Sequence, residues 1–249
     1  PPPPPPKRIG NTGMKTKILN DLLAARDAKS ATVLITDIDT GAQSLVVDGA
    51  ATGDISITSD ITDAIDAVMA DDRGKTVDIG GKRLFVRAFN PPKRLIIIGA
   101  VHIAQPLVPM ARLAGFEPIV VDPRGAWATP ERFPDVTIDS RWPDDAMADL
   151  DPDSGTAVVA LTHDPKLDDP ALAAALRSKA FYIGALGGQK SAGKRRERLS
   201  EEGFGAADFA RIHGPVGLDI GAISPAEIAL SIMSEITQTR RRYKLKQAA

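Results

Sequence analysis

The sequence predicts an α/β chain in which a smaller N-terminal α+β domain precedes a doubly wound parallel sheet. Three observations predict it. Leu95-Ile-Ile-Ile98 is an apolar run that stops at Gly99 and gives way to a helix-like pattern, as when a buried parallel strand feeds a phosphate-binding turn. Thr156–Leu161 is a second continuous apolar run, the pattern of a strand covered on both faces. Before residue 90 the runs are separated by turn signals and read instead as hairpins.

Taken in order, residues 1–13 hold six prolines followed by Lys-Arg-Ile-Gly-Asn-Thr-Gly and read as a disordered or artificial leader ahead of Met14. Residues 14–90 form the small domain. Lys17–Lys29 is a helix with Ile18, Leu22, Leu23 and Ala25 on one face, and Ala31–Thr36 and Gln43–Val47 are strands joined by a turn over Asp37–Gly41. Asp60–Met69 is a helix with Ile61, Ile65 and Val68 on one stripe. Thr76–Ile79 and Arg83–Ala88 make a second hairpin around Gly80-Gly81, and Asn90-Pro-Pro-Lys is a linker.

The second domain covers 91–249. Its opening strand is followed by a helix to about Ala114, with Pro106 near the first turn and Pro109 expected to kink it. Glu117–Val121 is the next strand, ending at Asp122. The strand Thr156–Leu161 leads through Thr162-His163-Asp164-Pro165 to a helix over Pro170–Arg177, then a strand over Ala180–Ile183 and a glycine-rich turn from Gly184 to Gly188. Lys190, Lys194, Arg195, Arg196 and Arg198 form a basic helical run, either a solvated face or an anion or partner contact. Gly214–Gly221 is a constrained loop. Ser224-Pro-Ala-Glu227 is a capping box that starts a helix with Ile228, Ile232 and Ile236 on one face, ending in Arg240, Arg241, Arg242, Lys244 and Lys246.

Composition narrows the function classes. A chain of 249 residues with net charge −1 has room for two cores and no global pull toward nucleic acid or anionic membrane. Aromatic residues make up 4% and form no stripe with basic ones, which argues against a nucleic-acid partner. The absence of cysteine excludes disulfides, thiolate metal sites and cysteine nucleophiles. No apolar run reaches the ~18 residues of a membrane span; the best candidate is broken by His102, Gln105, Pro106 and Pro109. Without a secretory leader, a cytoplasmic protein is the expectation.

Ligands of open α/β sheets bind beyond the carboxyl ends of the strands, where strand order reverses. The residues expected there are Gly99, Ala100, Val101, His102 and Ile103 after the first strand, Thr162, His163 and Asp164 after the fourth, and Gly184, Ala185, Leu186, Gly187 and Gly188 after the fifth. Gly99 and Ala104 fill the first and third places of a G-x-G-x-x-G/A turn, but Val101 stands where the second glycine would let phosphate approach. Asp122, 23 residues past Gly99, is either a ribose-binding acid or a strand-end cap of the next turn. Arg124 either takes a phosphate or pairs with Asp122. His102, His163, Asp164 and Asp219 are the catalytic candidates. A metal site from the same four has no close-spaced ligand pair behind it, so no metal is expected, and no G-x-S-x-G elbow supports a hydrolase.

Several ordered motifs resemble one family. They are Gly99-Ala-x-His-x-Ala-Gln105, Val120-Val-Asp-x-Arg124, Ala128-Thr-Pro-Glu-Arg-Phe-Pro134, Thr162-His-Asp164, Tyr182-Ile-Gly-Ala-Leu-Gly187 and Gly217-Leu-Asp-Ile-Gly-Ala-x-Ser-Pro-Ala-Glu-Ile228. Over about residues 93–240 the chain is similar to the XdhC/CoxI family, accessory and maturation factors of xanthine and carbon monoxide dehydrogenases. Within it the chain resembles a CoxF-like variant that lacks the N-terminal Cys motif, since Asp48–Asp54 holds no cysteine. Two further departures are Val101, where glycine is usual, and Gly188-Gln189, where a Ser-Arg pair is expected.

The resemblance implies a Rossmann-like C-terminal domain and a maturation factor for a molybdenum hydroxylase. Such a factor binds a nucleotide or the molybdenum cofactor for maturation or insertion. Its partners would be the hydroxylase apo-enzyme and a cofactor sulfurase, with homodimerisation also open. The nucleotide would be FAD, NAD(P) or ADP-like. The rivals are an NAD(P)-dependent oxidoreductase with His163 or His102 as proton donor, and a non-catalytic nucleotide-binding regulatory module.

Overall fold

The computed structural model describes residues 14–247, with side chains through Arg241; the proline-rich leader expected over 1–13 and the basic side chains expected at Arg242, Lys244 and Lys246 lie outside them. The chain divides between Pro91 and Pro92 into two compact units.

In the first unit, α1 (Thr16–Asp27) buries Ile18, Leu22 and Ala25. Leu23, expected on that face, is exposed, because one helical step of about 100° carries it off the 18–22–25 stripe. β1 (Thr32–Asp37) and β2 (Gln43–Val47) pair antiparallel. Asp37 closes their turn by accepting N–H bonds from Asp39 and Thr40 at 2.9 and 3.0 Å. β3 (Ala50–Gly53) adds an edge that sequence patterning does not announce, since all of its residues are exposed and none is a large apolar one. After α2 (Ser59–Asp71), β4 (Lys75–Ile79) and β5 (Lys82–Phe89) form a hairpin whose corner glycines, Gly80 and Gly81, both have positive φ. The sheet order is β3-β2-β1-β5-β4. Its two faces are covered separately, Val33, Ile35, Leu84 and Val86 by α2 and Leu34 and Leu45 by α1.

The second unit runs β6 (Lys93–Ile98), α3 (Ala104–Leu113), β7 (Phe116–Val121), β8 (Thr137–Asp139), α4 (Pro143–Leu150), β9 (Thr156–Ala160), α5 (Pro165–Arg177), β10 (Tyr182–Ala185), α6 (Gln189–Glu201), α7 (Ala206–Phe209), β11 (Ile212–His213) and α8 (Pro225–Gln247). Every ladder is parallel, in the order β11-β10-β9-β6-β7-β8. With β6 counted as the first strand this is 6-5-4-1-2-3, two halves wound outward from the β6–β9 pair. Alternate residues of each strand feed opposite layers. Leu95, Ile97, Val120 and Val159 pack under α3 and α8, whereas Ile96, Ile98, Val121 and Val158 pack under α4, α5 and α6.

Several boundaries differ from expectation. α5 starts at Pro165, five residues before the expected Pro170, because the Asp164 side chain accepts the Lys166 N–H at 3.0 Å and Pro165 takes the first helical position. Pro170 therefore lies inside the helix, where burial of Leu167, Ala171, Leu172 and Leu176 outweighs one missing backbone bond. β10 extends through Ala185, so Gly184 and Ala185 are strand residues and the turn begins only at Leu186. α3 continues through Pro109 to Leu113. The capping box forms as its pattern predicts: Glu227 Oε2 accepts from Ser224 N at 2.8 Å, and Ser224 Oγ accepts from Glu227 N at 3.3 Å.

α8 is fixed to the sheet by a half-buried carboxylate as well as by the buried Ile232 and Ile236. Glu235 accepts from the Tyr182 hydroxyl at 2.6 Å and from Gly217 N at 2.8 Å, and contacts His213 Nδ1 at 2.9 Å. Tyr182 and His213 stack with ring centroids 4.6 Å apart. Burial, reinforced by the neighbouring Glu235, pushes the Tyr182 hydroxyl far above the usual phenol value and keeps it a donor. Tyr182→Phe is expected to lower unfolding free energy by about 2 kcal/mol, measured by urea denaturation, since it removes a bond to a charged acceptor and leaves the stack.

Candidate functional site

β6 and β9 are neighbours, yet the helices that follow them lie on opposite faces of the sheet, so their carboxyl ends open a crevice. The two loops touch there. Gly99 has φ +103°, and a Cβ on it would lie 2.4 Å from Thr162 Cγ2. Glycine at 99 is thus required twice, by backbone conformation and by the neighbouring loop.

Asp122 organises the β6 side. It is fully buried; its Oδ2 accepts from Ala100 N at 2.7 Å and Arg124 Nη2 at 2.8 Å, and its Oδ1 accepts from Arg124 N and Nε, both at 2.9 Å. Burial alone pushes this carboxyl up, but the Arg124 and Ala100 donors outweigh it and hold the group below the ordinary value. Arg124 lies over the Trp127 ring at 5.5 Å, and Arg132 contacts the same ring at 5.6 Å. His102 is exposed in the first turn and meets Trp127 edge-on at 6.4 Å. Val101 and Ile103 are half-buried and pack on the apolar layer beneath α3 and α8. Arg132 belongs to the Ala128–Pro134 motif, whereas Trp127 lies just outside it, and its place between Arg124 and Arg132 is the one signal the sequence offers for it.

A second buried carboxylate holds the β9 side. Asp168 accepts from Thr162 Oγ1 at 2.7 Å, Thr162 N at 3.2 Å and His163 N at 3.0 Å. Burial pushes its carboxyl up, and these donors only partly offset that. His163 is exposed and has φ +62°, rare for a residue with a side chain. A Cβ on Gly187, which has φ +116°, would lie 3.6 Å from His163 Nδ1, so the β9 and β10 loops adjoin. Leu186 N bonds Ala160 O at 2.8 Å, and Leu186 O accepts from the buried Arg195 at 2.8 Å.

The structure thus brings together Gly99 with Thr162, Ala100 with Asp122 and Arg124, and His163 with Gly187. Asp164 is spent on capping α5. Asp219 is exposed in the β11–α8 loop, and no hydrogen bond, ion pair or metal-type cluster joins it to His102, His163 or Asp164 among the described residues. Gly188 is exposed ahead of α6. Among the described residues no group of three or more His, Cys, Asp or Glu is placed to hold a metal ion, and no helix is long and apolar enough to cross a membrane. Asp168, an acid inside a helix, carries no distinctive spacing in the sequence, and Arg195 is marked there only as one of a basic run for which an anion contact is one of two readings.

A parallel sheet in this order, with a glycine turn at its reversal point, defines a Rossmann-type domain. Residues 95–236 match the XdhC Rossmann domain, and the chain belongs to the XdhC family. It is 34% identical over 160 residues to a probable xanthine dehydrogenase subunit of Bacillus subtilis (strain 168), covering 64% of this chain and 46% of that protein. It is 31% identical over 156 residues to the molybdenum cofactor insertion chaperone PaoD of Escherichia coli (strain K12), covering 63% of this chain and 43% of that one. The chain therefore spans less than half the length of these relatives. A crystal structure of a xanthine dehydrogenase from Bacillus halodurans shares the fold, with a TM-score of 0.70 at 24% identity over 91% of this chain and 64% of that one.

Two consequences are measurable. Gly99→Ala is expected to destabilise by about 2–4 kcal/mol in chemical denaturation. Adding Thr162→Ser should relieve the clash and leave the backbone part, about 1–2 kcal/mol. Asp122→Asn, which unpairs Arg124, should cost about 3 kcal/mol near neutral pH. Because the Asp122 value is depressed on folding, its contribution is complete above the ordinary 3.8 and is lost as pH falls through the folded-state value. The acid limb of a stability–pH curve should therefore be shallower in Asp122→Asn than in the parent; parallel limbs would contradict this.

Proposed function

We propose that this protein is an accessory or maturation factor for a molybdenum hydroxylase, of xanthine or carbon monoxide dehydrogenase type, which holds the molybdenum cofactor or an adenine nucleotide across the carboxyl ends of β6, β9 and β10. The observation that carries this is the reversal of strand order between β6 and β9, where the loops beginning at Gly99 and Thr162 meet. Membership of the XdhC family supports the role, as does similarity to a relative named as a molybdenum cofactor insertion chaperone. The buried Arg195, whose Nε has no partner, suits a negatively charged ligand. The partners are the apo-hydroxylase and, for cofactor sulfuration, a sulfurase; the work is placed in the cytoplasm, with this protein as monomer or homodimer.

Hydride transfer on a nicotinamide is the weaker reading. The Ala100 N–H, placed to meet a pyrophosphate, already donates to Asp122, and Val101 stands at the second-glycine position. A non-catalytic nucleotide module differs from the carrier role in delivering nothing to a hydroxylase.

Native mass spectrometry followed by titration with molybdenum cofactor, FAD, NAD and ADP tests the proposal. The expected result is binding at about micromolar affinity or tighter, with reconstitution of an apo-hydroxylase by the cofactor-loaded protein. Binding of none of these ligands, or failure of the loaded protein to reconstitute, sinks it. Because Val101 packs on the α3–α8 layer, Val101→Gly should leave affinity within about threefold. A gain of about tenfold or more would instead mark the first turn as a crowded phosphate site.

A further inference from the structure

α6 carries Ser191, Lys194, Arg195 and Arg198 at three- and four-residue spacing, hence on one face. That face and the first turn of α5 line a cavity of about 150 Å³, with His163 at its border. This is small beside the ~300–1,000 Å³ of pockets that enclose a whole organic ligand. It suits a compact group bound at the edge of a larger cleft.

The charge state of the cavity points to what that group is. Arg195 is 5% exposed, and of its donors only Nη2 is engaged, by Leu186 O; Nε is buried with no partner. Asp168, which also lines the cavity, exerts the largest coulombic pull on Arg195, but Thr162 and His163 already donate to both of its carboxylate oxygens. Arg198 is bound to Asp169. Lys194 is exposed and forms no ion pair among the described residues. A buried guanidinium with unused donors is destabilising until an acceptor arrives, and a planar donor fork beside an ammonium and a hydroxyl matches a tetrahedral oxyanion. The first turn of α6 has no acidic residue and no side-chain cap, so the helix supplies no charge of its own to its positive end. On the opposite half of the sheet the Ala100 N–H is already taken by Asp122.

We propose that the α5–α6 cavity is a phosphoryl subsite, taking a phosphate monoester or diphosphate group through Arg195, Lys194 and Ser191. It rests on the carrier role proposed above and assigns the ligand's phosphate to the α6 side of the cleft, away from the glycine turn after β6.

Isothermal titration of the full chain with inorganic phosphate and pyrophosphate, at constant ionic strength, tests this, with Ser191→Asp and Lys194→Ala as variants. Aspartate at the third position of α6 suits the helix dipole, so Ser191→Asp should fold and melt at or above the parent temperature while repelling the anion. Saturable pyrophosphate binding is expected in the parent, weakened by about tenfold or more in each variant. Absence of saturable binding, or equal binding by Ser191→Asp, overturns the subsite. Binding of ADP or molybdenum cofactor that Ser191→Asp leaves unchanged overturns the subsite and keeps the carrier role. Pyrophosphate binding lost in Ser191→Asp, with no cofactor or nucleotide bound by the parent, keeps the subsite and overturns the carrier role.

Discussion

A carboxylate with no exposed surface, Asp122, is the constraint on which the β6 side of the cleft depends. It sits at the end of β7 but bonds to the backbone after β6, so it ties two parallel strands together just where their ladder stops. Its charge is retained only because Arg124 and two backbone N–H groups are directed at it. Arg124 is held in turn, and with it the stack on Trp127 that brings His102 and Arg132 to the same surface. An acid in the place where a ribose acceptor stands in dinucleotide folds thus serves the architecture of the turn directly.

The other half of the sheet solves the same problem differently. Asp168 holds the loop after β9, but its hydrogen-bond donors are backbone amides and a hydroxyl rather than a guanidinium. Desolvation therefore dominates, and its carboxyl shifts up where that of Asp122 shifts down. Two buried acids, each fixing one loop at the mouth of the crevice, end with opposite preferences for a proton because one has a salt-bridge partner. The left-handed conformation of His163 is held by the Asp168 bond to its own amide.

The strands around the crevice were legible because their signals were local. Leu95–Ile98 and Thr156–Leu161 have no polar interruption, so burial on both faces follows from composition alone, and Gly99 marks the end of the first. β3 and β8 were not legible: exposed Ala50–Gly53 and the three residues Thr137–Asp139 gain their order from hydrogen bonds to a neighbour rather than from an apolar pattern. The start of α5 was misplaced because Pro170 resembles a first-turn proline as much as Pro165 does, and only the Asp164 cap separates them. The places of Gly99, Asp122, Arg124 and His163 at the strand ends follow from spacing and turn chemistry. Those of Asp168 and Trp127 do not, since each depends on a partner or on burial, and Arg195 stands out in the sequence only as one of a basic run.

The parallel sheet is bounded by two very short strands, β8 with three residues and β11 with two. Neither rim offers the long run of unpaired amides and carbonyls that another chain would need to zip onto it. Growth of this sheet by addition of a strand, whether in self-association, domain exchange or fibril formation, therefore has little to build on at either rim. Assembly through this unit falls instead to side-chain contact on its helices and loops, where the carboxyl-end crevice can be covered or uncovered without disturbing the backbone ladder beneath it.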